Sequence, residues 1–314
     1  MTLLLLGCGL GLLVVPACAR PVGRRLPPSE WAKACAGLLG IGAILIEASL
    51  ALQAAPTVLR AAGLEDVAEL CEHALGPVAP GGVPVGVAAG VAATAVVLLA
   101  GRWVLAARRG WRMVRVERGI GWHTTVAGHE LVVLPSGDPV AFSTAGRPGQ
   151  VVISHGLITA LSDSELAAVL RHELAHLHHR HQRYLVLAGA VQHSLGLLPL
   201  VRSAAATLRC AVERWADEEA AGDDAAGRAS VHTALLRLAE LAAMPEVAAF
   251  TTPGTVAERL DALHANPTGG LGVGQRAVIY VPAGLLLAAA VVTLSGILEH
   301  LTFLRMLAGL CPPH

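Results

Sequence analysis

The sequence predicts a mainly α, membrane-embedded chain in which four transmembrane helices accompany one α+β domain placed between the third and the fourth. Three observations carry this expectation. Of 314 residues, 54% are hydrophobic and only 15% charged, with a mean hydropathy of +0.60, whereas a soluble domain carries about 25% charged residues. Four stretches approach or reach the roughly 20 apolar residues that cross a bilayer, at about 2–19, 34–55, 83–105 and 277–298. Between the last two, from 110 to 276, the apolar runs give way to short alternating segments and then to amphipathic helical patterns.

Composition excludes several classes. With 34 Gly and 18 Pro the chain stays below the share expected of low-complexity sequence, and its hydrophobic content excludes disorder. Lys plus Arg equal Asp plus Glu at 23 each, so no direct nucleic-acid binding is expected. Cys8, Cys18, Cys35, Cys71, Cys210 and Cys311 are scattered and form no CxxC pair, which excludes a disulfide scaffold and a zinc knuckle.

Residues 1–109 form the first membrane region. Thr2–Ala19 carries no charge and is followed, not preceded, by basic residues; that flank marks an uncleaved span rather than a signal peptide. Arg20, Arg24, Arg25 and Lys33 follow the first span, and Arg102, Arg108, Arg109, Arg112, Arg115 and Arg118 lie at the end of the third. Positive charge marks the inner side. The connection between them holds Arg60 against Glu65, Asp66, Glu69 and Glu72, as expected outside. Both termini are therefore expected outside, residues 110–276 inside, and 299–314 as a short outer tail. Cys71 and Cys311 would face the oxidising side and are read as unpaired thiols. Glu47, the one charge in the second span, lies in its outer half, where a carboxyl can stay protonated or reach the interface.

In the inner domain, short strands are expected at His129–Leu134, Val140–Thr144 and Gln150–Ser154, joined by turns at Ser136–Pro139 and Gly146–Gly149. Ser162 with Glu165 three residues on is a capping-box pattern that opens a helix from Asp163 to about His181. That helix contains His172-Glu173-Leu174-Ala175-His176. Two histidines four apart share one helix face, about 6 Å apart along the axis, and each can give an imidazole nitrogen to one zinc ion. Glu173 is then placed as general base, taking a proton from an attacking water whose pKa the ion lowers towards 7.

HExxH alone is weak and needs a third ligand. Metzincin spacing is excluded because Gln182 stands where the third His would be. Cys210–Ala221 reads as a helix with Glu213 and Asp217 on one face; Glu213 can close the site and Asp217 can accept the second N–H of a ligand histidine. Without HExxH, Glu213, Asp217, Glu218 and Glu219 would read as a solvated acidic face.

These residues carry a resemblance. Ala141-Phe142-Ser143, Val152-Ile153-Ser154 with Gly156-Leu157, the run Leu161–Leu177 and Glu213-Arg214-Trp215-Ala216-Asp217 resemble the integral-membrane gluzincin peptidases, which include the HtpX and CaaX-protease group and the BlaR/MecR-type antibiotic sensor-transducers. The resemblance covers residues 110–265. It implies a zincin-like fold for the domain, one Zn2+ per chain held by His172, His176 and Glu213, and Glu173 as general base. The segment Thr252–Leu260 resembles a later HtpX segment, with Thr252 where that pattern has His; Arg259 is read as an ion-pair partner. Four spans with an inner peptidase domain resemble the BlaR/MecR arrangement, without the penicillin-binding sensor.

Tyr184–Val201 is an uncharged run that hydropathy alone would make a fifth span. One crossing would place ligands of a single ion on opposite sides, and two need about 40 residues, more than 184–210 provides. A helical turn-back at the membrane surface, bent near Gly196 and Pro199, is expected instead. His178, His179 and His181 read as a polar helix end, with His181 packed beside the site as the alternative, and His193 as a buried histidine. Tyr184, Arg228, His232 and Arg259 are candidates for stabilising an oxyanion, and the sequence does not rank them.

The expected function is a membrane-bound zinc metalloendopeptidase whose partners are a protein or peptide substrate and the lipid bilayer, used in regulated cleavage of a cytoplasmic transcriptional repressor. Quality control of membrane proteins is the alternative use. A non-catalytic signalling scaffold with a structural zinc is the alternative class.

Overall fold

A computed structural model describes residues 1–75, 82–116, 121–144, 149–242, 253–264 and 273–310. In chain order the elements are α1 (Thr2–Cys18), α2 (Arg20–Gly23), α3 (Pro28–Ala61), α4 (Glu65–Leu75), α5 (Gly82–Val116), β1 (Trp122–Val126), β2 (His129–Leu134), β3 (Ala141–Thr144), β4 (Gln150–Ser154), α6 (His155–Ala160), α7 (Asp163–His178), α8 (Gln182–Leu195), α9 (Pro199–Ala221), α10 (Ala225–Ala242), α11 (Pro253–His264) and α12 (Val273–Leu310).

All four expected apolar stretches are helical. Three are long and apolar enough to cross a bilayer: Pro28–Ala61, Val83–Arg109 and Ile279–Glu299. The fourth, α1, has 17 apolar-rich residues, which at 1.5 Å each span about 25 Å of a hydrocarbon core near 30 Å. The helices α3, α5 and α12 run past the apolar windows read from sequence, because apolarity marks what lipid tolerates and not where helix hydrogen bonding stops. Leu5 and Leu12 of α1 share a core with Leu38 and Leu45 of α3 and Ala283 and Ala290 of α12. The α1–α3 crossing is close: a Cβ on Gly9 would lie 2.9 Å from the Gly42 carbonyl oxygen, and one on Gly42 would lie 2.9 Å from that of Gly9. Small residues let backbones meet where lipid removes the hydrophobic drive.

The ambiguous apolar run is a helical turn-back. After α8, residues Gly196–Leu198 turn the chain and Pro199 opens α9 at a position where its missing N–H costs nothing. α8 packs against α3 and α5, and α9 against α1 and α3. Val191, Leu195, Val201 and Leu208 join Leu13, Trp31, Leu39 and Ile46 in one core, so the run is apolar because the other helices enclose most of it. At its tip Leu197 is 93% exposed. His193, expected to be buried, is exposed and stacks on Trp103 of α5 at 4.1 Å.

The soluble-type part holds a sheet of order β1-β2-β4-β3. The β1–β2 and β3–β4 pairs are antiparallel and β2–β4 is parallel. The strands expected at 129–134 and 150–154 are present, and the middle one begins at Ala141. The sequence reading missed β1. Its turn residues, Ala127 and Gly128, have φ of 48° and 78°, the two positive values of a tight hairpin turn; alanine there gives no signal. Leu131, Val151, Ile153, Leu157, Val169, Val231 and Leu235 form the core between this sheet and α7 and α10.

The capping box is present: the Glu165 N–H donates to Ser162 Oγ, and the Ser162 N–H donates to Glu165 Oε2 at 2.9 Å. The helix ends at His178, three residues before the expected end, because Arg180 enters the left-handed region at φ 52°. Cys71 is a free thiol. Arg118, Thr252, Cys311 and residues 146–148 of the second expected turn lie outside the described residues.

Candidate metal centre

Two helices bring the expected residues together. The 3.6-residue period of α7 puts His172 and His176 on one face, one turn apart. On α9 the same spacing aligns Glu213 with Asp217. His172 Nε2 lies 3.1 Å from His176 Nε2, while Glu213 carboxylate oxygens lie 3.5 Å from His172 Nε2 and 3.7 Å from His176 Nε2. Ligands about 2.05 Å from a tetrahedral zinc stand about 3.3 Å from one another. One donor atom from each residue lies within 4.8 Å of the others, close to that spacing, and the set of two imidazoles and a carboxylate is one that zinc accepts. Three ligands leave a fourth position open.

The surrounding groups orient this set. Asp217, 3% exposed, places Oδ1 2.9 Å from His172 Nδ1, so a proton on Nδ1 is held there and Nε2 is turned towards the other donors. Arg259 donates twice to Asp217, from Nε and Nη2 at 2.7 Å each, and lies 3.4 Å from Glu213. It is therefore the ion-pair partner expected. Burial would raise the Glu213 carboxyl, but His172, His176 and Arg259 outweigh it and hold it well below the carboxylate range. Burial likewise opposes ionisation of Asp217, and Arg259 with His172 overcome it. Burial works against charge on His172 too, yet the two carboxylates push its pKa up to about 10. For His176 burial wins and lowers the pKa. Without metal the pocket thus holds two ionised carboxylates around a protonated His172, whose Nε2 proton an incoming cation would displace.

Glu173 lines a cavity of about 370 Å³ together with His172, Glu213 and Asp217. One wall is Ala141 and Phe142 of the edge strand β3; the others include Val169, Val231, Leu235 and Leu238. Of the four oxyanion candidates, Arg259 lines this cavity. Arg228 pairs with Glu218 at 3.2 Å, His232 packs edge-on to His264, and Tyr184 is buried beside Trp215 and accepts a hydrogen bond from Arg183.

One reading of the histidine run is corrected. His178 is exposed and His179 lies 3.3 Å from Glu219, as a polar helix end would have it, but His181 is 0% exposed. Its Nδ1 lies 3.1 Å from His176 Nδ1. Burial, then the neighbouring His176 and His179, lower its pKa to about 3. A second feature escaped the sequence: Glu258, next to Arg259, is bound by Arg20 and Arg24 and accepts from the Cys210 thiol at 3.0 Å.

Residues 112–216 match the model of peptidase family M48, a third of the chain that carries β1 to β4, HExxH and Glu213. The chain is similar to two curated proteins named protease HtpX homolog. It is 31% identical over 68 residues to that of Acidiphilium cryptum (strain JF-5), covering 21% of this chain and 24% of the relative. It is 32% identical over 71 residues to that of Aquifex aeolicus (strain VF5), covering 22% and 24%. The match thus spans about a quarter of the length of these relatives. No solved structure matches.

Proposed function

We propose that the chain is a membrane-bound zinc-dependent endopeptidase. The observation that carries this reading is the convergence of His172, His176 and Glu213, with donor atoms within 4.8 Å of one another, and Glu173 in the lining of a cavity that the strand β3 also walls. When bound, zinc would supply Lewis acidity that polarises the scissile carbonyl and acidifies water. Glu173 takes the proton of the attacking water and delivers it to the leaving amide nitrogen. Asp217 keeps His172 in the ligating tautomer, and Arg259 holds Asp217 in place. The free edge of β3 pairs with an extended substrate backbone, while the apolar wall receives a side chain next to the cleaved bond. The likeness to peptidase family M48 and to curated proteases supports the class.

The apolar helices tie the site to the bilayer. The arginines after α1 and along the end of α5 support an inner location for the domain, and the exposed leucines at the α8–α9 tip support its contact with lipid. Regulated cleavage of a cytoplasmic repressor is the finer proposal, supported by the BlaR/MecR-like placing of the domain among four apolar helices. The similarity to HtpX homologues supports turnover of membrane proteins as the alternative. Proteome-wide mapping of new N-termini in cells carrying the wild type or Glu173→Gln separates them: one soluble DNA-binding substrate supports the first, a spread of membrane proteins the second. In purified form, Glu173→Gln should lower peptide hydrolysis by about 10²–10⁴-fold without releasing zinc; unchanged hydrolysis would remove Glu173 from the mechanism.

A further inference from the structure

We propose that His181 is a positioning residue that fixes the tautomer and ring plane of His176 for metal binding, and that the turn after α7 is shaped to bring it there. The proposal rests on the zinc-peptidase reading above.

His176 directs Nε2 towards His172 and Glu213. A ring that ligates through Nε2 must carry its proton on Nδ1. The group facing that atom is His181 Nδ1, 3.1 Å away. His176 Nδ1–H therefore donates to the bare Nδ1 of a neutral His181, whose own proton sits on Nε2. Asp217 does the corresponding work for His172 with a carboxylate oxygen at 2.9 Å. The two ligand histidines are thus oriented by different chemistries, one by an anion and one by a neutral ring.

Backbone and packing support the same contact. The His181 N–H donates to the His176 carbonyl at 2.9 Å and the Arg180 N–H to that of Leu177 at 3.2 Å, the paired bonds of a Schellman turn. The turn needs a left-handed residue, usually glycine, and here Arg180 takes it at φ 52°. Trp215 at 4.6 Å and the stacked His179 at 5.6 Å wall the ring in. Packing alone does not account for a histidine here. Its Nε2 is buried and has no hydrogen-bond partner among the described residues, and an apolar side chain would fill the same box without that orphan. What only histidine brings is the Nδ1 acceptor.

The test is zinc affinity of the full-length chain in detergent, measured by competition with a chromogenic chelator, alongside the unfolding temperature of the metal-free protein. His181→Phe and His181→Leu keep the box filled and remove the acceptor; both should bind zinc 10–100-fold more weakly while the metal-free protein unfolds within a few degrees of wild type. His181→Asn, whose Oδ1 can take the place of Nδ1, should stay within about threefold of wild type. Wild-type affinity in either folded apolar variant overturns the proposal, as does an equal loss in His181→Asn. His172→Ala is the separate control. If it binds zinc like wild type, the zinc reading itself fails; if it does not and the apolar variants do, only the role of His181 fails.

Discussion

Charge around the candidate centre is arranged in a chain: Arg259 donates to Asp217, Asp217 holds His172, and His172 faces Glu213. Every member but Glu213 is 15% exposed or less at its side chain, so removing one partner strands another. Arg259→Met leaves Asp217 buried without its cation and should cost about 3–5 kcal/mol of stability, read as a fall in unfolding temperature of the metal-free protein. Asp217→Asn keeps the shape, weakens the hold on His172, and should reduce zinc affinity by about 10–100-fold in a chelator competition; unchanged affinity would mean that Asp217 serves Arg259 alone. At this scale the sequence was most legible where the chemistry is local. HExxH and the Glu213–Asp217 pair are each set by one helix period. A place for His181 beside the site was legible only as the lesser of two readings, because its burial depends on a left-handed Arg180 that no residue preference announces, and on Trp215 from another helix.

Elements with local signals came through, with shifts at the end of α7 and the start of β3. The capping box started α7 where Ser162 and Glu165 said it should, and β2 and β4 were readable from alternation and flanking turns. Alternation failed for β1, whose residues Trp122–Thr125 are exposed and so carry no buried face to read. The sheet order was unreadable for a different reason: placing β4 between β2 and β3 is a choice made by long-range pairing. Helix contacts within the apolar region were equally hidden, since a glycine in an apolar run signals nothing until its neighbour is known. Gly42→Leu would force α3 away from the Gly9 carbonyl and the Leu13 side chain, and should lower the detergent-solubilised unfolding temperature. The same change at Gly37, where an added Cβ meets nothing within 4 Å, should leave it unchanged. Equal effects at the two positions would show that the α1–α3 crossing is not close. In the sheet core, Ile153→Ala removes a side chain that is 2% exposed and should cost about 2–5 kcal/mol.

Across the whole molecule, two adjacent residues of α11 face in different directions. Arg259 reaches the candidate centre, while Glu258 is clasped by Arg20 and Arg24 from the connection between α1 and α3. The short α11 thus ties the apolar helices to the site. Burial opposes ionisation of Glu258, but its bonds to Arg20 and Cys210 and the charge of Arg24 hold its pKa below the ordinary value. A carboxyl depressed on folding contributes stability above its unfolded pKa, near about 4.3, and loses that contribution as pH falls through the folded value. Acidification should therefore loosen α11, seen as faster amide exchange over residues 253–264, and Glu258→Gln should show that loosening already at pH 7. An exchange rate in α11 indifferent to both would remove Glu258 from the tie. The long apolar helices were foreshadowed in the apolar runs of the sequence. The clasp was not, because Arg20 and Glu258 lie 238 positions apart and each alone reads as an ordinary surface charge. The central claim concerns chemistry at one centre, and the most direct measurement joins zinc content to peptide-bond hydrolysis in the purified full-length chain. The account predicts one zinc per chain, lost in His172→Ala, with hydrolysis that a chelator removes and zinc restores. Hydrolysis that persists in metal-free protein would contradict it.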